Sequence, residues 1–119
     1  MQVPLLAYIH TRMNDKIIDQ LRAFLKGDQV LTADEDLDVY SFDGTAILHQ
    51  RPQCVVLPET AEEISQILAL ANGENVPVVT RGSGTGLAGG SVPVKGCIVL
   101  CLVRLNRILE LDAKNLVML

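Results

Sequence analysis

The 119-residue chain is long enough for one small domain, and its 49% hydrophobic content with a mean hydropathy of +0.30 supplies a core, which excludes a disordered chain. A net charge of -4, acidic clustering at Asp34, Glu35, Asp36 and Asp38, an aromatic content of 3% and no Trp exclude a nucleic-acid partner, because neither a basic face nor a stacking platform is present. The apolar run over residues 3–9 contains Pro4 and falls far short of the roughly 20 residues of a spanning helix; no basic residue precedes it as in a secretory signal, so no membrane span and a cytoplasmic location are expected.

Residues before Asn14 read as a ragged lead, in which Met13 is an alternative translation start. From Asn14 or Asp15 as N-cap, Ile17, Ile18, Leu21, Phe24 and Leu25 recur at helical spacing, with Gly27 as the stop. Residues 28–50 show no sustained period and are expected to form an irregular connection. The chain thus divides into a lead with one amphipathic helix, residues 1–49, and a second unit, residues 50–119.

Pro52 opens that unit, and Cys54-Val55-Val56-Leu57 is a continuous apolar run suited to a strand covered on both faces of a parallel sheet. Thr60 and Glu63 have capping-box spacing, and Ile64, Ile67, Leu68 and Ala71 form the apolar stripe of a helix ending near Asn72-Gly73. Val78-Val79-Thr80 is a second strand, and the strand–helix–strand order implies a right-handed crossover between parallel strands. A third strand is expected over residues 97–103, a further alternation over 108–111, and an apolar run over 116–119 that reaches Leu119 with no turn or cap, so a continuation is expected there. Cys97 and Cys101 fall in one strand, about 13 Å apart by strand rise, too far for a disulfide. With Cys54 they are expected to be buried small hydrophobes.

Five of the nine glycines fall between Gly82 and Gly90, directly after a predicted strand. Glycine costs about 0.5–1 kcal/mol relative to Ala in regular structure, so this density calls for backbone that reaches positive φ or touches a ligand. Successive amides there can converge on a pyrophosphate, with Ser83 and Thr85 adding hydroxyl donors, while Arg81 contributes charge or pairs with a carboxylate. A flexible linker is disfavoured by the apolar interruptions Leu87 and Ala88 and by Val92-Pro93-Val94. Residues 84–89 formally satisfy G-x-G-x-x-G, but Pro93 and Gly96 deny the loop the helix a Rossmann site needs, and no Gly-Lys-Ser or Gly-Lys-Thr marks a Walker A loop. His10 and His49 are read as ordinary residues, the Asp34-Glu35-Asp36 run as a solvated face, and Asp43 as either a loop-structure residue or a contact to further domains.

Residues 52–58, the 60–72 helix, Pro77-Val78-Val79-Thr80 and the 81–90 loop, with Tyr40-Ser41-Phe42-Asp43-Gly44-Thr45 before them and Leu105-Asn106-Arg107-Ile108 after, resemble the FAD-linked oxidases of the vanillyl-alcohol oxidase and p-cresol methylhydroxylase (PCMH) type. Among these the chain is most similar to the glycolate oxidase FAD subunit and D-lactate dehydrogenases. The resemblance covers most of the chain after Met13 and implies an α/β fold. It would be the first subdomain of a PCMH-type FAD-binding domain, a small parallel sheet with flanking helices, and only the N-terminal part of the parent enzyme. By the family's motif Gly82, Ser83, Gly84, Thr85, Gly86, Gly89 and Gly90 line the FAD pyrophosphate, with Arg81 and Ala88 at its margin. Neither His nor Cys occurs between Arg81 and Ser91, so noncovalent FAD is implied. The parent would oxidise a small 2-hydroxy acid by hydride transfer to the flavin. No catalytic or metal-binding residue carries over to this chain, which alone would be inactive. Iron–sulfur partner subunits, peripheral membrane association through a complex and self-association are left open. The alternative reading is a noncatalytic truncated domain that self-associates through an open sheet edge.

Overall fold

The computed structural model describes residues 15–45 and 47–119; the N-terminal lead, His10, Met13 and the Asn14 cap lie outside the described residues. Helix α1 is described over residues 15–22. Its inward residues Ile17 and Leu21 are buried together with Leu25, and Ile18 and Phe24 pack beside them, as the helical spacing requires. The Leu25 amide still donates to the Leu21 carbonyl at 2.9 Å, and Gly27 then opens a 3-10 turn, Gly27–Gln29.

The expectation of an irregular connection over residues 28–50 is corrected by two short elements. Strand β1, Val30–Leu31, pairs antiparallel with the next strand, Val30 opposite Val56. Helix α2, Asp34–Val39, buries only Leu37. Its first turn carries Asp34, Glu35 and Asp36, where carboxylates meet the positive end of the helix dipole. Arg51 donates to Asp38 Oδ1 from Nε at 2.9 Å and from a terminal nitrogen at 2.6 Å, and reaches Asp34 at 3.0 Å. The acidic run is thus a helix start tied to the following linker as well as a solvated face. Elements of two and six residues are too short to display a period, so their existence depends on tertiary pairing.

Strands β2 (Cys54–Val56), β3 (Val78–Arg81) and β4 (Ile98–Cys101) are parallel, and the four-stranded sheet runs β1-β2-β4-β3. The crossover from β2 to β3 therefore skips a position, which β4 fills. Burial explains the order: every residue of β4 is buried, whereas β3 leaves Thr80 exposed and Val78 and Val79 half-buried, as an edge strand can. Successive residues face opposite sides. Cys54, Val56, Ile98 and Leu100 pack with α1 and with Ile67 and Ala71; Val55, Leu57, Cys97, Val99 and Cys101 pack with Leu37 of α2. Two covered faces are why β2 and β4 read as unbroken apolar runs.

Helix α3, Ala61–Gly73, joins β2 to β3, and the Thr60 hydroxyl accepts from the Glu63 amide at 3.1 Å. The return arm of the capping box goes elsewhere: Glu63 accepts from the Glu59 amide at 2.7 Å and from the buried Gln29 amide group at 2.8 Å. Leu68, expected in the apolar stripe, is 44% exposed, and Leu70 packs against the core instead. The helix closes on Asn75 at φ 54, with the Val76 amide donating to the Ala71 carbonyl at 2.9 Å and the Asn75 amide to Asn72 at 3.3 Å, a Schellman ending with Asn in place of glycine. The apolar run at the end of the chain folds back: β5 (Leu111–Asp112) and β6 (Val117–Met118) form an antiparallel hairpin whose turn is held by Asp112, which accepts from the Lys114 and Asn115 amides.

All three cysteines are free and buried, and burial pushes the Cys54 thiol up to about 12. A raised folded value means that this thiol stabilises fully below its unfolded value near 9 and loses that contribution as pH rises toward 12. Ellman's reagent at pH 8 should therefore find no reactive thiol until urea unfolds the chain. Ile98→Ala, in the central strand with a fully buried side chain, is expected to cost about 2–5 kcal/mol, read as a lowered urea midpoint at unchanged m-value.

Candidate functional site

Parallel strands place their carboxyl ends along one edge of the sheet, the usual side for ligands in open α/β sheets. The glycine loop, residues 82–91, leaves β3 at that edge, and residues 82–97 contain no helix before β4 begins. That context removes the Rossmann reading.

The loop is shaped by residues 40–45. Arg81, at the end of β3 and 8% exposed, donates to the Phe42 carbonyl at 2.9 Å, to Tyr40 at 3.2 Å and to Ser83 at 3.3 Å, and its guanidinium lies 5.2 Å from the centre of the Tyr40 ring. Its partners are carbonyls, not a carboxylate. The fork has room only because residue 84 is glycine: Gly84 sits at φ +78, and a Cβ there would lie 1.6 Å from the Arg81 terminal nitrogen. The Gly44 amide donates to the Gly86 carbonyl at 2.8 Å, an approach so close that a Cβ on Gly44 would come within 2.8 Å of that oxygen.

Asp43 is buried at 6% exposure, and its Oδ1 accepts from the Thr45 amide at 2.7 Å. The Thr45 amide is the main reason its carboxyl is held below the usual range, with the Thr45 side chain and the Gly89 and Ser91 amides adding to it against the opposing effect of desolvation. Oδ2 is buried and closes no hydrogen bond of good geometry. The one hydrogen bond the carboxylate closes among the described residues is thus within its own turn, to the Thr45 amide.

What remains of the loop points outward. Among the described residues, none of the amides from Gly82 to Ala88 donates to a protein acceptor. Gly82, Ser83, Thr85, Gly86, Ala88 and Gly90 are exposed, Gly84 and Gly89 half-buried, and the Ser83 and Thr85 hydroxyls share the exposed stretch. A Cβ added at Gly82, Gly86 or Gly90 would meet nothing within 4 Å. A cleft of about 290 Å³ opens beside the loop entrance between Tyr40, Phe42, Gly82, Ser83, Gly84 and Cys101. Exposed residues whose amides have no acceptor among the described residues, with two hydroxyls beside them, can receive an anion with several oxygens.

The predicted loop residues are thus brought together at one sheet edge, Arg81 beneath them rather than among them. Sequence reasoning missed the contribution of Tyr40 and Phe42, which act through main-chain carbonyls that no side-chain pattern reveals. Asp43 had a signal, Asp-Gly-Thr as a turn, which its bond to the Thr45 amide realises. His49 behaves as an ordinary residue, meeting the Ser41 hydroxyl at 2.7 Å and stacking on Phe42.

Residues 52–118 match the protein family described as FAD binding domain. The chain is 38% identical over 96 residues to the glycolate oxidase subunit GlcD of Escherichia coli (strain K12), covering 81% of this chain and 19% of that one. It is 30% identical over 111 residues to the D-lactate dehydrogenase of Anaerostipes hadrus, covering 92% and 23%. The structure of p-cresol methylhydroxylase with substrate bound superposes with a TM-score of 0.74 at 25% identity, over 84% of this chain and 20% of that one. The chain spans about a fifth of the length of the curated relatives it matches.

Gly84→Ala is expected to cost roughly 1–2 kcal/mol for the left-handed backbone alone, and more once Arg81 is displaced. Urea unfolding should show this as a lowered midpoint, with exchange of the Gly44 amide accelerated as its bond to Gly86 loosens.

Proposed function

We propose that this chain, which belongs to the FAD binding domain family, holds the diphosphate of FAD in an oxidoreductase that acts on a small 2-hydroxy acid, glycolate or D-lactate. The observation that carries the reading is the run of amides from Gly82 to Ala88 with no acceptor among the described residues, at the carboxyl ends of β3 and β4. In this reading Gly82, Ser83, Gly84, Thr85, Gly86, Gly89 and Gly90 present main-chain donors to the diphosphate, and Ser83 and Thr85 add hydroxyls. Arg81 supports the loop from behind with its positive charge, and Ala88 leaves the crest narrow. The open space over Gly82, Gly86 and Gly90 fits a ligand of that kind, because none of the described residues comes within 4 Å of a Cβ built there. No His or Cys occurs in the loop to attach a flavin, which supports noncovalent FAD.

The flavin would supply the hydride acceptor for oxidation of the hydroxyl-bearing carbon. The residues of this chain bind and orient it, and none is assigned a proton-transfer role. We take residues 50–119 as the part of the FAD-binding domain and residues 1–49 as its lead. Iron–sulfur partner subunits rest on resemblance alone, self-association on an open sheet edge and a cytoplasmic location on the sequence of the N-terminal run, and no surface described above is assigned to them. Among the described residues no helix is long and apolar enough to cross a membrane.

Contacts from about a fifth of a relative's length still bear the full ordering cost of binding, so the chain by itself should hold FAD weakly. Amide spectra of the 119-residue chain titrated with FAD test the reading. FAD and ADP, which share a diphosphate, should shift residues 82–90, and riboflavin, which lacks one, should not. Gly86→Ala should leave stability within about 0.5 kcal/mol, since nothing lies near the new methyl, yet weaken those shifts at least tenfold in apparent affinity. Loop signals indifferent to FAD at millimolar concentration would overturn the assignment.

A further inference from the structure

Three features besides the row of donors invite a role. The ion network of Arg104 with Asp28 and Glu59 is partly exposed and joins elements already in contact, so it reads as support. The apolar residues of the β5–β6 hairpin are exposed, but nothing among the described residues shows what covers them. The carbonyls of the glycine loop are different, because three of them are held by donors from three separate segments, and a peptide held by its carbonyl has a set direction for its amide.

The Ser83 carbonyl accepts from the Arg81 guanidinium at 3.3 Å, the Gly86 carbonyl from the Gly44 amide at 2.8 Å and the Gly82 carbonyl from the Cys101 thiol at 3.6 Å. Arg81 and Cys101 are buried at the ends of β3 and β4, and Gly44 belongs to the turn packed beside the loop. No peptide bond among the described residues is cis. In a trans peptide the C=O and the following N–H point in opposite directions across one plane. A carbonyl drawn toward the guanidinium, the turn or the thiol therefore sends the next amide the other way, and those next amides are of Gly84, Leu87 and Ser83. None of the three has an acceptor among the described residues. Arg81 is the firmest of these holds, because one terminal nitrogen is anchored on the Phe42 carbonyl at 2.9 Å and the Tyr40 carbonyl at 3.2 Å while the other reaches Ser83. Gly84, at φ +78, then turns the chain past that fork.

We propose that Arg81 is a positioning residue, which holds the Ser83 carbonyl inward and so turns the Gly84 amide toward the diphosphate, with the Gly44 amide and the Cys101 thiol setting the Leu87 and Ser83 amides in the same way. This rests on the reading of the loop as a diphosphate site, and it narrows a row of amides to three leading donors. Arg81 touches no ligand in this arrangement. Its side chain lies under the loop, and its effect passes through one peptide plane. Lysine is no substitute: a single ammonium keeps the charge, yet it lacks the planar fork that bridges the Phe42 and Ser83 carbonyls at fixed spacing.

Amide and carbonyl spectra of the 119-residue chain, wild-type and Arg81→Lys, titrated with ADP and with FAD, decide it. In the wild-type chain the Ser83, Gly84 and Leu87 amide protons should move furthest among residues 82–88. Arg81→Lys should shift the Ser83 carbonyl carbon before any nucleotide is added and leave that of Gly86 in place. It should also weaken nucleotide binding about tenfold, with the Gly84 response lost at saturation and the Leu87 response kept. Wild-type shifts led by any other amide of residues 82–88 overturn the positioning role, and this arm needs no variant to fold. So does an Arg81→Lys chain that binds as the wild type does, or one in which the Gly84 and Leu87 responses fade alike, as they would from a general loosening of the fold. Wild-type loop signals blind to both nucleotides overturn the diphosphate reading itself, while a Ser83 carbonyl that answers to residue 81 without that of Gly86 leaves the hold of Arg81 on the loop standing.

Discussion

The arrangement depends on where one guanidinium finds its hydrogen bonds. Arg81 is nearly buried at the end of an edge strand, and a buried cation must be satisfied or displaced. Here its terminal nitrogens are satisfied by the carbonyls of Tyr40, Phe42 and Ser83 rather than by a carboxylate. Two consequences follow from that choice. The fork staples residues 40–42 to the start of the loop, so the two segments share one geometry. Carbonyl dipoles also solvate a charge without cancelling it, so a net positive charge stays under the row of outward amides, where an anion gains from it at short range.

Such a staple is useful only on a rigid base, and the sheet supplies it. With β4 central and both faces covered, the strand ends that carry Arg81 and Cys101 are held by packing on two sides as well as by the ladder. The Cys101 thiol reaching the Gly82 carbonyl at 3.6 Å is a weak contact, but it shows how little separates the buried layer from the loop. Stability and site are therefore coupled at one edge: what loosens the end of β3 or β4 also moves the donors.

How much of this was legible in the sequence follows from what each element relies on. Strands β2, β3 and β4 and helices α1 and α3 stood out because burial on one stripe or two faces leaves a local pattern, and the bounds of the three strands and of α3 agree with it to within a few residues. Strand β1 and helix α2 left no pattern, since two residues paired to Val55 and Val56 and one inward Leu37 are facts about neighbours distant in sequence. Strand order was hidden for the same reason: Val78 and Cys54 are both parallel neighbours of Ile98, and nothing local to β2 or β3 says that a later strand will separate them. In the site, glycine density revealed the loop, but the carbonyls of Tyr40 and Phe42 that Arg81 reaches are set by three-dimensional proximity alone.

The glycines themselves separate what the fold demands from what a ligand would. Gly84 is forced by the Arg81 fork and its positive φ, and Gly44 by the carbonyl of Gly86 pressed against it. An apoprotein with no ligand to hold would still need both. Gly82, Gly86 and Gly90 have neither a positive φ nor a neighbour within 4 Å, so the chain's own packing gives no reason to forgo a side chain and the ordering entropy that an Ala would save. All three lie along the exposed stretch of the loop, and two of them within the run of amides that have no acceptor among the described residues. In the proposed reading, a side chain at those positions would stand between the diphosphate and the donors beneath it, which would be a physical reason for keeping them bare.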